Sequence, residues 1–405
     1  MKYRNLLFIF LLSVFASCSK DPELEPDTPP STFKVRIDNV IHETYFDSYP
    51  QGPSLFVPYL VMSGLPEGEK LLAFGGYYSP ENPNPDGSDY TFIHDCADDE
   101  LIQGWDWTQE LIYSAGWIDL PIPGKTYYFK GVVRTNKAVY YSNTVTINTD
   151  GLPGYTPGPQ DRVLPVVFHV MPRKDGTYPH PYFFDEMLAC ANRLYRNVWP
   201  LPGLADAGIR FVPATHAPDG TALSTPGIHY LDERYELDLD ISNEELRQWV
   251  GDNLWEMTEV INVWVSPFIN DHIVSEDTST AGFTFLPYFA PEEMLQGCNT
   301  AVPGCFSGIF LNQEIVGNGY CNSGIAVFAH EAGHYLGLDH VFEEDWCDDT
   351  PQYDRARYRT EQYIPGIDTY LRYPIDASAE PYTALNVMDY DIVIYSGITP
   401  QQAER

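Results

Sequence analysis

Positive charge is scarce in this chain. Its 23 lysines and arginines stand against 57 aspartates and glutamates, for a net charge of −34 and a pI near 4.4. Such a surface repels phosphate backbones and anionic headgroups, which excludes nucleic-acid binding and charge-driven membrane binding. Cysteine is sparse too: seven in 405 residues, none at CxxC spacing, which excludes cysteine-built zinc ribbons. There is no internal repeat, so a solenoid is excluded. The apolar run from Leu6 to Phe15 is only ten residues long, whereas a spanning helix needs about 20. At 405 residues the chain is too long for one core and suits two domains plus a leader.

The short apolar run follows Lys2 and Arg4 and precedes Ala16-Ser17-Cys18, the order of a signal peptide. Small residues directly before a cysteine resemble the bacterial lipobox, in which that cysteine is lipidated; this predicts a lipoprotein signal peptide over 1–18 with Cys18 as lipid anchor. Residues 19–31, Ser-Lys-Asp-Pro-Glu-Leu-Glu-Pro-Asp-Thr-Pro-Pro-Ser, are too rich in proline and acid to bury a core and read as a tether. Their Ser-Lys-Asp start resembles a surface-export signal, so the expected location is the outer membrane, facing outward.

What is present is concentrated in His330-Glu331-Ala-Gly-His334-Tyr-Leu-Gly337-Leu-Asp-His340. On a helix, His330 and His334 project from one face and can grip one ion. Glu331 lies beside that face, placed to take a proton from the attacking water. Gly337 lets the chain leave the helix at positive φ and swing His340 back as a third ligand. Three protein ligands leave one position open, the mark of a catalytic zinc site. Acidity alone suggests calcium as a second ion, with Asp345, Asp348 and Asp349 as the nearest acids, although charge runs usually face solvent.

The HExxHxxGxxH pattern resembles the zinc signature of the metzincin peptidases, whose second mark is a turn carrying methionine beneath the metal. Asn386-Val-Met388-Asp-Tyr390 supplies Met388 for that turn. The resemblance implies that Tyr390 ligates the resting metal or stabilises the oxyanion. Gly319-Tyr-Cys321 before the helix, His340-Val-Phe342 after it and Cys347-Asp-Asp-Thr350-Pro351 beyond resemble the pappalysin/cytophagalysin group. The likeness is greatest to the zinc-dependent metalloproteinase lipoproteins of Bacteroidetes. It covers about the last 240 residues and is sharp from Gly319 to Tyr390. The segment Thr399–Arg405 reads as the start of a terminal helix, as if cut short.

Besides Cys18, six cysteines remain, an even number that permits disulfides in an oxidising compartment. Cys298 and Cys305 bracket a Gly/Pro loop, and Cys321 and Cys347 flank the zinc helix; both pairs are expected to bridge. Cys96 is read as a structural thiol, with a thiolate latch on the zinc as the lesser alternative.

Between anchor and zinc site the organisation is two-part. Residues 32–150 carry short alternating runs rich in Tyr, Val and Ile, broken by Gly, Pro and Asn, the pattern of an all-β sandwich. Its last two strands, Gly124–Arg134 and Ala138–Ile147 joined at Thr135-Asn-Lys, resemble the end of a fibronectin type III or Ig-like domain. Residues 151–161 are a stiff Pro/Gly linker. From 162 to 405, strands at Val163–Met171, Ile209–Pro213, Glu259–Val265 (central, being nearly all apolar), Ala281–Leu286 and Gly308–Asn312 accompany helices at Phe184–Trp199 and Gly324–Gly337. Asn322 or Ser323 is the expected cap of the second helix. This reads as an α/β metzincin-like domain with a mixed sheet and a central zinc helix, in which Gly308–Asn312 is either the exposed edge, where substrate would add as a strand, or an ordinary buried strand.

The function these features imply is a surface-anchored zinc endopeptidase acting on protein or peptide, with the membrane touched only through the lipid and no nucleic acid involved. One alternative is a non-catalytic binding or adhesion lipoprotein with a structural or degenerate zinc; an intact Glu331 stands against it. Another places function in the sandwich, with Trp105 and Trp107 stacking on sugars, though aromatics in a sandwich are more often core.

Overall fold

The structure is a computed structural model that describes residues 32–44, 54–119, 121–238, 244–269, 281–284, 308–314, 321–342, 345–355, 363–364, 369–376, 378–383, 385–390 and 397–405. Cys18, the tether, Cys298 and Cys305 lie outside the described residues, and so does the side chain of Cys321.

The first half is built from β1 (Lys34–Thr44), β2 (Ser54–Ser63), β3 (Leu71–Ser79), β4 (Tyr90–Asp95), the single turn α1 (Glu100–Gln103), β5 (Leu111–Ser114), β6 (Ile118–Asp119), β7 (Thr126–Thr135) and β8 (Val139–Asn148). They form two antiparallel sheets, β1-β2-β5 with β6 also on β2, and β4-β3-β7-β8. Alternation puts Leu60 and Met62 of β2 and Phe74, Phe129 and Val133 of the second sheet into one buried core. The expected terminal hairpin is present, closed by Thr135 N–H donating to Ala138 O at 2.8 Å. Trp107 is part of this packing, edge-on to Phe33 at 5.8 Å. Cys96 is a buried free thiol, pushed up to about 12 by burial and then by Asp95 and Asp99, which suits the structural reading rather than a latch.

The second half begins with β9 (Arg162–Val170), then α2 (Pro181–Tyr195), β10 (Ile209–Pro213), β11 (Ile228–Tyr230), β12 (Leu237–Asp238), α3 (Glu244–Asn253), β13 (Ile261–Ser266), β14 (Phe268–Ile269), β15 (Gly282–Thr284) and β16 (Ile309–Asn312). The zinc-motif helix α4 (Cys321–Tyr335) follows, then β17 (Tyr363–Ile364), β18 (Thr369–Arg372), β19 (Tyr382–Thr383) and α5 (Pro400–Glu404). The main sheet runs β10-β9-β13-β16-β15, with β11 continuing β10 along the same side of β9. All pairs are parallel except β15 on β16, so the sheet is mixed as expected and β13 is central. The six residues of β13 are all buried, which is why the run is apolar without alternation. β12 and β14 make a short parallel pair.

Helices α2 and α4 cover one face of the sheet, where Phe168 of β9 meets Phe184 at 4.8 Å and Phe328 at 5.7 Å. The opposite face carries Trp264 and Phe310, packed with Val250 of α3. One expectation is resolved and one is corrected. Of the two readings of Gly308–Asn312 the buried strand holds and the edge does not: β15 pairs beyond β16, whose four residues are all buried. Nor do Asn322 and Ser323 cap the zinc helix, because it begins a residue earlier, at Cys321.

The halves are joined through α2. Glu186 is 5% exposed and accepts hydrogen bonds from the hydroxyls of Tyr90 and Tyr127, both on the sandwich. Tyr182 OH donates to Asp89 Oδ1 at 2.9 Å, and Arg193 Nη1 to Pro121 O at 2.9 Å. Burial pushes the Glu186 carboxyl up to about 7, against the two hydroxyl donors, which favour the charge.

Candidate active site

Helix α4 ends in a glycine stop. Gly337 sits at φ 97° and donates to His334 O, while Leu338 N–H reaches back to Gly333 O, both at 2.9 Å. That paired closure is the Schellman arrangement, and only glycine takes the left-handed position without strain. The chain therefore turns sharply and returns His340 to the face carrying His330 and His334. The ring nitrogens available from the three lie within 4.8 Å of one another, and those of His334 and His340 (both Nε2) are 3.0 Å apart.

The donor set fits a metal ion. His330 Nδ1 meets Val387 O and His334 Nδ1 meets Leu338 O, each at 2.7 Å. A carbonyl only accepts, so Nδ1 holds the proton and Nε2 is left as a lone-pair donor. Burial, then neighbouring imidazoles, holds His330 down to about 3 and His340 lower still; burial also lowers His334. All three are thus neutral, the ligating form. A tetrahedral zinc with bonds of about 2.0–2.1 Å keeps its ligand nitrogens roughly 3.3 Å apart; the His334–His340 pair at 3.0 Å is near that spacing, and the three lie within 4.8 Å.

Glu331 faces β15 across the site and is 5% exposed. A Cβ added at Gly282 would sit 3.1 Å from Glu331 Cγ, so strand and carboxylate are in direct contact. The Thr284 hydroxyl faces the carboxyl and favours its charged form, though neither Glu331 Oε2 nor Thr284 Oγ1 closes a hydrogen bond of good geometry. Burial pushes the Glu331 carboxyl up to about 8, and the charge of an ion beside it acts in the opposite sense. A buried carboxylate oxygen without a partner is costly, and such groups mark functional sites.

Beneath the helix lies the turn with Met388, fully buried. Asn386 Oδ1 accepts from Met388 N–H at 2.9 Å, and Val387 supplies the carbonyl that orients His330. Gln402 of α5 holds Asn386 (Nδ2 to Oε1, 2.8 Å) and sits in a capping box with Thr399. Tyr390 is 45% exposed and its ring lies 4.5 Å from His340, beside the ligands. Two residues the motif did not single out secure the turn. Asp389, 1% exposed, pairs with the wholly buried Arg372 at 2.9 Å and accepts from Tyr353 OH and Tyr390 N–H at 2.7 and 2.8 Å.

Gly333 is the point of closest approach. A Cβ there would lie 2.2 Å from Met388 Sδ and 2.9 Å from Tyr195 Oη, the hydroxyl that donates to Ala329 O. Gly333→Ala is expected to cost about 1–3 kcal/mol by overpacking and to weaken metal binding by displacing the turn. Thermal melts with and without zinc check this; an unchanged melting temperature and zinc affinity would refute it.

The other predicted residues fall differently. Asp345 accepts from Thr350 Oγ1 and Cys347 N–H, and Asp349 accepts from Thr399 Oγ1 and Gln401 N–H. These acids organise a loop and anchor α5, so the calcium expectation is not supported. Cys347 is a half-buried free thiol, pushed up to about 11 chiefly by burial, so its expected bridge to Cys321 is not made. No disulfide is found among the described residues.

Three neutral imidazoles on a helix and its glycine exit, a carboxylate under an antiparallel strand and a methionine turn below define the site of a metzincin-type zinc metalloendopeptidase. Comparison with known proteins places it more narrowly. Residues 244–405 match the family model Peptidase_M43, described as pregnancy-associated plasma protein-A. No curated protein matches the chain. Similar solved structures include mirolysin in complex with compound 9 (17% identity, 60% of this chain and 90% of that one, TM-score 0.43). They also include Tannerella forsythia mature mirolysin with a cleaved peptide (17%, 61% and 90%, TM-score 0.42).

Proposed function

We propose that this chain is a zinc endopeptidase tethered outside the outer membrane through a lipid on Cys18. In this reading it cuts extended protein segments by glutamate-assisted attack of water. The observation that carries the reading is the cluster of three convergent imidazoles with the buried Glu331 carboxyl beside it, whose Oε2 closes no hydrogen bond. Zinc held by His330, His334 and His340 would serve as a Lewis acid toward water and a peptide carbonyl. Glu331 takes the proton of the attacking water and returns it to the leaving amine. The half-exposed Tyr390 donates its hydroxyl toward the carbonyl oxygen as negative charge develops there. The substrate lies against the short strand β15, the outermost of the main sheet among the described residues, where backbone pairing holds it with little reading of sequence. The sandwich, with strand order β1-β2-β5 facing β4-β3-β7-β8, serves as a fibronectin type III-like mount between tether and catalytic lobe.

The test is to incubate soluble protein starting at Ser19 with a mixed peptide library and identify new termini by mass spectrometry. New internal cuts that vanish with a zinc chelator are expected. A protein that carries one zinc yet makes no cut, or whose cuts survive chelation, would overturn the proposal.

A further inference from the structure

The guanidinium of Arg355 lies 4.0 Å above the ring of Tyr390 and 4.9 Å from that of Phe342. Those rings are 4.8 Å apart, and each lies within 4.8 Å of the imidazole of His340. Arg355 therefore closes an aromatic box of which a metal-site histidine is one wall. The side chain is half-buried, its Nε is buried without a hydrogen-bond partner, and among the described residues it forms no ion pair. That is unexpected where acids outnumber bases 57 to 23. Other arginines take carboxylates: Arg36 pairs with Asp38, Arg196 with Asp161, Arg234 with Glu236, and Arg372 with Asp389. Stacking fixes the plane of Arg355 while leaving its donors unspent, the state that suits a planar guanidinium to receive a carboxylate.

We infer that Arg355 selects substrates bearing a carboxylate beside the scissile bond. Residues of an extended peptide advance about 3.3 Å each, so a side chain one or two positions from the reacting carbonyl reaches across Tyr390 to the guanidinium. The carboxylate has two possible sources: an internal Asp or Glu side chain, or the free C-terminus of a short peptide. The inference rests on the proposed peptidase reading and refines it.

The experiment measures kcat/KM on matched quenched peptides with Glu or Gln at each position flanking the cut, and on short peptides with free or amidated C-termini. Arg355→Gln and Arg355→Lys are assayed beside the parent chain. At one position the parent should prefer Glu over Gln by about tenfold or more. The Arg355→Gln variant should bring that ratio close to one, and Arg355→Lys should keep part of it. A ratio that appears only for free against amidated C-termini assigns the same guanidinium to terminal carboxylates. Equal rates for every pair in the parent, or a preference unchanged in Arg355→Gln, would overturn the inference while leaving the peptidase reading standing. A chain that cuts none of the peptides overturns both.

Discussion

Replacing Glu331 with glutamine is expected to leave a folded protein that binds zinc and no longer cuts peptides. The carboxylate is not a ligand in the His330, His334 and His340 cluster, and both imidazoles of the helix are oriented by backbone carbonyls that the substitution does not touch. Glutamine fills the same volume beneath Gly282, so packing against β15 is kept. What goes is the proton shuttle, a loss of about 10²–10⁴-fold in kcat where one general base is removed. Peptide turnover, zinc content and melting temperature, measured together, check this. Retained turnover would remove Glu331 from the mechanism, whereas loss of zinc would make it part of the metal site.

The second large effect is expected at Arg372, about forty residues beyond the helix and outside the zinc motif. Arg372→Met leaves the Asp389 carboxylate buried without its cation, a change that typically costs about 3–5 kcal/mol. Because Asp389 lies between Met388 and Tyr390, activity should fall with stability. The double change Arg372→Met with Asp389→Asn should recover part of the loss, since no lone charge is then buried. Urea unfolding of both proteins distinguishes the cases. A single variant within about 1 kcal/mol of the parent would show that the pair contributes little.

The site was legible because its geometry is local. His330, Glu331, His334, Gly337 and His340 fall within eleven residues, and helix periodicity with one glycine exit fixes their relation. Met388 and Tyr390 were legible only through family resemblance, since nothing local says that a distant turn will lie under a helix. The Arg372–Asp389 pair and the burial of Glu331 depend on tertiary placement and leave no periodic trace. Edge or buried strand stayed open for Gly308–Asn312 for a related reason: β15 is three residues long, too short for alternation to show, and which strand lies outermost is not written in either segment. The calcium expectation and the Cys321–Cys347 pairing took residue types at face value. In the fold Asp345 and Asp349 spend their oxygens on backbone and hydroxyl donors.

Helix α2 has one end against the sandwich, through Glu186 and Tyr182, and the other against the zinc helix, where Tyr195 holds the carbonyl of Ala329. An isolated catalytic lobe would therefore present to water a face of aromatic rings and a carboxylate that had been shielded by tyrosine hydroxyls. The sandwich is thus less a passenger than a foundation. A shortened chain starting at the linker would tend to clump, and a loosened joint would be felt first at the metal, one helix away.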